Sequence, residues 1–352
     1  MDSARPHIHS AAESRRNSSS GTSGATYAWR LLRAGPLRLD GGSMFGLIPR
    51  VVWSKSVPQD ELGRIVVAHN CLLLERHRDP INPNESPAPA ERPSRVLIES
   101  GSGDKFDAKN RAIFGLEDYS VADAVKEAGV RCEDVGHVVV THLHFDHAGG
   151  LTRRPRKGES PDWTPAGADP ASAGVSLTFP NAPISVQRLE WEDALINRSV
   201  MTRTYLRENL EPVRGKLQLI DAPPPFPAGY LPRRDEMPAS RVAEREVEVF
   251  PGIFVFRVPG HTWGQQAVRF TDDRGRAVVF TPDVLPTVNH VGAAYNLAYD
   301  VEPYISTVTR RWFLDEAARG QWLLVLDHEP GNPCCRVRPD GKGWYELVPE
   351  MG

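Results

Sequence analysis

The sequence predicts an α/β protein, on three observations. Short apolar runs rich in β-branched residues recur along the chain, as expected of strands in a covered sheet: Val138-Val139-Val140-Thr141, Ile253-Phe254-Val255-Phe256-Arg257-Val258, Ala277-Val278-Val279-Phe280-Thr281 and Trp322-Leu323-Leu324-Val325-Leu326. Segments with helical spacing lie between strands, as at Val121, Ala124, Val125 and Ala128. Each of the four runs is followed at once by metal-seeking residues, namely His142, Gly260-His261, Asp283 and Asp327-His328. Residues just past the carboxyl ends of strands can be gathered by loops at one rim of a sheet.

Taken in order, residues 1–36 stand apart. Ser10 to Ser23 is serine-rich, carries Arg15-Arg16 and has few apolar residues, so a disordered extension is expected, with the folded domain over 37–352. Its arginines faintly resemble a transit peptide, it lacks a secretory apolar core, and a start set too far upstream is the other reading. A first strand begins near Tyr27-Ala28-Trp29-Arg30-Leu31-Leu32, and others cover Arg64-Ile65-Val66-Val67 through Leu72-Leu73-Leu74 and Val96-Leu97-Ile98. The proline-rich segments 79–93 and 222–238, and the Pro/Gly/Ala-rich 153–174, read as loops. Ser120-Val121-Ala122-Asp123 has the form of a capping box, and Gly129 can end the helix it starts. Further helices are expected over 187–197, 202–209 and 303–319, the last stopped by Gly320.

The chemistry centres on Thr141-His142-Leu143-His144-Phe145-Asp146-His147-Ala148-Gly149-Gly150. In extended geometry His142 and His144 point to the same side, because strand side chains repeat every two residues. The chain must then turn, which lets Asp146 and His147 aim at a second point nearby. Neutral imidazole and carboxylate are the usual ligands of zinc and similar cations. His261, Asp283 and His328 are the remaining candidates. His7, His9, His69, His77, His137 and His290 read as surface or satisfied core residues.

At this point the chain resembles the metallo-β-lactamase superfamily, through HxHxDH followed by a distant Gly-His, Asp and His. Within it the chain is most similar to the branch of N-acyl homoserine lactonase-like hydrolases that includes organophosphate-cleaving relatives. Asp40-Gly41-Gly42-Ser43-Met44-Phe45-Gly46 with Pro49-Arg50-Val51-Val52-Trp53, Val186-Gln187-Arg188-Leu189-Glu190-Trp191, and Asp283-Val284-Leu285-Pro286-Thr287 carry that likeness, which spans roughly residues 37–330. It implies a four-layer αββα sandwich with two divalent metal ions, Zn2+ first among them, at one edge. One ion would sit on His142, His144 and His261, the other on Asp146, His147 and His328, with Asp283 bridging. It further implies that a hydroxide shared by the ions attacks a lactone or carboxylic ester, N-acyl homoserine lactones included, with Asp146 as proton shuttle beside Asp283. Phosphotriester hydrolysis on the same metals is the alternative. Three departures stand out: Glu99-Ser100-Gly101 replaces the usual Asp-Thr-Gly, Gln265 replaces a second histidine, and Pro286 stands where the better-studied lactonases have a tyrosine. Tyr295 and Tyr299 lie further along. Phe145, Met44 and Phe45 are the expected substrate contacts, with Trp53 and Trp263 as further pocket candidates.

Composition narrows the partners. A chain of 352 residues with formal net charge −3 presents no global basic surface for nucleic acid or anionic membrane. A superfamily nuclease would need a basic gripping arm, and a di-iron reductase a flavin-binding domain, for which little chain follows His328. A non-catalytic metal module would more often have lost a ligand. No apolar run approaches the roughly 20 residues that span a bilayer. The four cysteines, Cys71, Cys132, Cys334 and Cys335, form no CxxC pair and suit a reducing cytoplasm. The expected partner is a small-molecule ester or lactone, and a homodimer is left open.

Overall fold

The computed structural model describes residues 24–76, 95–196, 203–227 and 229–350. The expected loop over 79–93, His7, His9 and His77 lie outside the described residues. The first half runs β1 (Tyr27–Asp40), α1 (Gly41–Phe45), α2 (Arg50–Trp53), β2 (Arg64–Arg76), β3 (Arg95–Ile98), α3 (Ala108–Phe114), α4 (Val121–Glu127), β4 (His137–Val139) and α5 (Phe145–Ala148). A small hairpin of β5 (Thr152–Arg153) and β6 (Ser176–Leu177) encloses α6 (Pro170–Ala173), and β7 (Ile184–Gln187), α7 (Arg188–Ile196), α8 (Arg207–Leu210) and β8 (Leu217–Ile220) follow. The second half supplies β9 (Val247–Phe250), β10 (Ile253–Arg257), β11 (Gln266–Thr271), β12 (Ala277–Thr281), α9 (Pro303–Arg319), β13 (Leu323–Leu326), β14 (Cys334–Pro339) and β15 (Tyr345–Pro349).

These strands form two main sheets, of order β1-β2-β3-β4-β7-β8 and β15-β14-β13-β12-β11-β10-β9. Three apolar layers result, because side chains alternate across each strand. Leu72 and Leu74 of β2, Val278 and Phe280 of β12, and Leu323 and Val325 of β13 meet between the sheets. The alternate residues of the same strands face outward. Cys71 and Leu73 pack under α4 with Val121 and Val125, while Val279, Leu324 and Leu326 pack with Trp312 and Phe313 of α9. Helix, sheet, sheet, helix is the four-layer sandwich expected. The cysteines lie inside it, buried and reduced.

Three expectations change. β1 starts at Tyr27, where the first strand was expected, so residues 27–36 of the extension expected to be disordered are strand, since Tyr27–Arg33 finds a full antiparallel partner in Asn70–Arg76. Residues 1–23 of that segment are outside the described residues. The helix expected over 202–209 is only Arg207–Leu210, because Arg203 to Tyr205 turn and Leu206 is extended. β4 ends at Val139, so Val140 to His144 is irregular chain rather than strand. The capping box does form: the Asp123 carboxylate accepts from the Ser120 backbone N–H at 2.9 Å.

The rim at the carboxyl ends of β3, β4, β12 and β13 is tied together by its backbone. Ser100 donates from N and Oγ to the His147 carbonyl at 3.1 and 2.6 Å, and Gly150 N–H donates to the Gly101 carbonyl at 2.9 Å. This approach is possible only without a side chain at Gly150, where a Cβ would lie 2.0 Å from the Ser100 carbonyl oxygen. Gly150→Ala must therefore push two backbone segments apart. We expect a loss of about 3 kcal/mol, read as a lower thermal midpoint; an unchanged midpoint would show that this junction is not tight.

Candidate metal centre

The expected set is delivered from four strand ends. His142 and His144 follow β4, His147 stands in α5, His261 follows β10, Asp283 follows β12 and His328 follows β13. The structure brings them together in burial: the five histidines are at most 4% exposed and Asp283 is 5% exposed. Donor atoms of His142, His144, His261 and Asp283 lie within 4.8 Å of one another, and those of His147, Asp283, Asp327 and His328 form a second such group. Asp283 belongs to both. Its Oδ2 is 2.9 Å from His261 Nε2 and 3.6 Å from His147 Nε2, and its Oδ1 is 3.4 Å from His328 Nε2. Asp146 sits at the edge, 3.8 Å from His147 Nε2 and 3.7 Å from His328 Nε2.

The outward nitrogens show why these rings point inward. His261 Nδ1 meets Asp300 Oδ1 at 3.0 Å, His328 Nδ1 meets the Ala68 carbonyl at 2.8 Å, and His142 Nδ1 meets Thr141 Oγ1 at 3.1 Å. His147 Nδ1 is 3.4 Å from Glu99 Oε2. A ring that donates from Nδ1 presents the Nε2 lone pair to the interior, which is how histidine is prepared for a metal. His144 is turned the other way, with Nδ1 3.0 Å from His261 Nε2. Inward nitrogens thus face other acceptors, and His142 Nε2 and Asp283 Oδ1 have no hydrogen-bond partner. Such a concentration of buried lone pairs fits cations and little else.

Charge points the same way. Burial, with neighbouring histidines adding, pushes His142 and His144 well below the usual imidazole range, so both are neutral. Burial also opposes charge on His147 and His261, but the adjacent carboxylates outweigh it and raise both, His261 to about 10. Burial, with Asp283 adding, drives Asp327 well above the normal carboxylate range. The acids clustered here thus draw positive charge to the site, which is what a cation would supply.

The structure gives roles to several supporting residues that the sequence named without one, or, as with Asp300, did not single out. Glu190, fully buried, accepts from Leu143 N–H at 3.0 Å and from Thr262 Oγ1 at 2.6 Å, joining the HxHxDH segment to the Gly-His segment. Glu99 takes its odd place with a positive φ of 71° and accepts from Thr141 N–H at 2.6 Å. Asp300 and Asp327 complete the group. Glu190 and Asp300 lie far from the motifs they hold, and only the Asp-His pairing of 327–328 offered a local signal. His69, His137 and His290 are satisfied core residues, bonded to Ser102, Ser185 and Met44 respectively.

The centre forms the floor of a cavity of about 300 Å³ walled by Leu39, Met44, Phe114, Phe145, Leu297 and Tyr299. Met44 and Phe145 are where substrate contacts were expected. Phe45 is not: it is 1% exposed and stacked between Trp53 and His290, at centroid distances of 5.2 and 4.9 Å. The turn of α1 sends adjacent side chains in different directions, Met44 to the cavity and Phe45 into the core. Trp53 shares that core, and Trp263 is not among the lining residues. Tyr299 lines the cavity, whereas Tyr295 packs edge-on against Phe45.

Comparison with known proteins bears on the family and the fold. The model of the metallo-beta-lactamase superfamily matches residues 94–328, which include all seven expected ligands. N-acyl homoserine lactonase AiiA of Bacillus thuringiensis subsp. kurstaki is 25% identical over 227 residues, 64% of this chain and 68% of that protein. A lactonase from a Bacillus species is 26% identical over 230 residues, with the same coverage. Among solved structures, a probable metal-dependent hydrolase from Staphylococcus aureus superposes with TM-score 0.67 at 23% identity, covering 93% of this chain and 98% of that one. The dizinc quorum-quenching lactonase AidC superposes with TM-score 0.61 at 16% identity and the same coverage, which speaks for the fold.

Proposed function

Because this chain belongs to the metallo-beta-lactamase superfamily and is a metal-dependent hydrolase, we propose that it opens lactones or cleaves carboxylic esters with two divalent cations, zinc first among them. One observation carries the reading: two donor groups that share Asp283 open onto the floor of an apolar-walled cavity. His142, His144 and His261 would hold one cation, and His147, His328 and Asp146 the other. When bound, such a pair would acidify water to near-neutral pKa and polarise the substrate's carbonyl oxygen.

The chain's own residues do the rest. Leu39, Met44, Phe114, Phe145 and Leu297 exclude water and take up an acyl chain. Asp146, which lines the cavity, is placed to take the proton from the attacking water and return it to the leaving alkoxide. Tyr299, with Arg203 and Thr204, brings donors to an otherwise apolar wall, where its hydroxyl can bond a substrate oxygen; Pro286 has none to offer. The lactonase relatives support a lactone as the first substrate to try, and the fold relatives support the sandwich that holds the site.

A panel of N-acyl homoserine lactones, aryl esters and aryl phosphotriesters, run before and after chelation, tests this. Lactone or ester turnover is expected, falling at least about a thousandfold on metal removal and returning with zinc. Phosphotriesters outpacing every carbonyl substrate would move the assignment to the alternative. Turnover untouched by a chelator that empties the protein would end it.

A further inference from the structure

We propose that Asp327 is itself a ligand of the second cation, which makes that site richer in oxygen than the first. This rests on the two-cation reading above. Asp327 is 2% exposed, and neither carboxylate oxygen has a hydrogen-bond partner. Its donor atom falls within the 4.8 Å group of His147, Asp283 and His328, to which Asp146 does not belong.

The surroundings do not offer another use for this side chain. Its backbone is pinned on both sides, with the carbonyl accepting from Asn70 N–H at 2.9 Å and the N–H donating to the Thr281 carbonyl at 3.2 Å. Asn70 is the nearby amide that could have satisfied the carboxylate. Its side-chain nitrogen instead donates to the Leu326 and Glu329 carbonyls at 2.7 and 2.9 Å. A buried carboxylate with no donor is costly unless a cation answers it. With Asp283, Asp146 and Glu99 close to the same histidines, a further unpaired acid here is what a cation would answer.

The assignment divides the acids by position. Asp327 is not among the residues that line the cavity, whereas Asp283 and Asp146 both are, and Asp146 keeps the substrate-side place that a proton carrier needs. It also makes the two sites unlike. The first offers three imidazoles and the shared Asp283, a set suited to zinc. The second offers two imidazoles with Asp283, Asp146 and Asp327, and oxygen donors favour manganese or iron more than imidazole does.

The test uses the full chain stripped of metal and titrated with Co2+, reading bound cobalt per chain by mass spectrometry and the visible absorption of each site. Wild type is expected to take two. Asp327→Asn is expected to keep one and to weaken the second at least about 100-fold, as is Asp146→Asn, which removes a ligand already assigned to that site. D327N binding two Co2+ with wild-type affinity and spectrum would overturn the proposal alone. Wild type failing to bind a second Co2+ would overturn the two-cation reading beneath it. Should D327N not fold, Asp327→Glu keeps the charge with a longer reach: a changed spectrum at the second cobalt is expected, and an unchanged one refutes the ligand.

Discussion

Asp283→Ala is expected to lower kcat/KM on the best lactone or ester by at least about a thousandfold and to leave the protein with fewer than two tightly held cations. Its carboxylate is the one group common to both donor clusters, with Oδ2 toward His261 and Oδ1 toward His328. Burial penalises this carboxylate, yet His261 and His328 hold it well below the usual range, so it remains ionised in an interior that would otherwise neutralise it. Losing it removes a shared anion and the spacer that sets the distance between the proposed sites. Effects of Lewis-acid groups amount to several kcal/mol, and each 1.36 kcal/mol is tenfold in rate. Activity and metal content should fall together, with circular dichroism unchanged. Full activity in this variant would remove Asp283 from the centre.

The contrast between what the sequence discloses and what it hides has a physical origin. His142, His144 and His147 are legible because their spacing is local, and His261, Asp283 and His328 because each directly follows an apolar run that ends at the same rim. The three-layered packing is legible from alternation within strands such as Leu72-Leu73-Leu74. Walls are harder. Met44 and Phe45 are chemically equivalent neighbours, and only the turn of α1 decides that one faces the cavity and the other stacks on Trp53 and His290. Leu39, Phe114 and Leu297 come from three separate segments and carry no motif. Supporting acids are harder still, since a carboxylate that accepts backbone N–H groups from a distant loop looks in sequence like any surface acid. Arg310 shows the same for cations: fully buried in α9, it donates to the Val284 and Gly292 carbonyls and so braces the loop after Asp283.

Glu190 is the strongest case of such hidden support. Glu190→Ala is expected to destabilise the fold by about 3–5 kcal/mol, a drop on the order of 10 °C in the thermal midpoint. The residue stands in α7, yet its oxygens hold Leu143 N–H between His142 and His144, and the Thr262 hydroxyl next to His261. Removal leaves a buried N–H and a buried hydroxyl without their acceptor, and loosens three histidines at once. α7 has no space to move in and compensate, because a Cβ on Gly264 would already lie 2.4 Å from the Glu190 backbone nitrogen. Glu190→Gln provides the comparison. Its carbonyl oxygen can still accept from Leu143 N–H, and the Thr262 hydroxyl can rotate to accept from the amide, so about 1 kcal/mol is expected. Calorimetry on the two variants should therefore rank alanine far below glutamine. Equal loss in both would mean that the negative charge, rather than the acceptor geometry, is what joins these two segments.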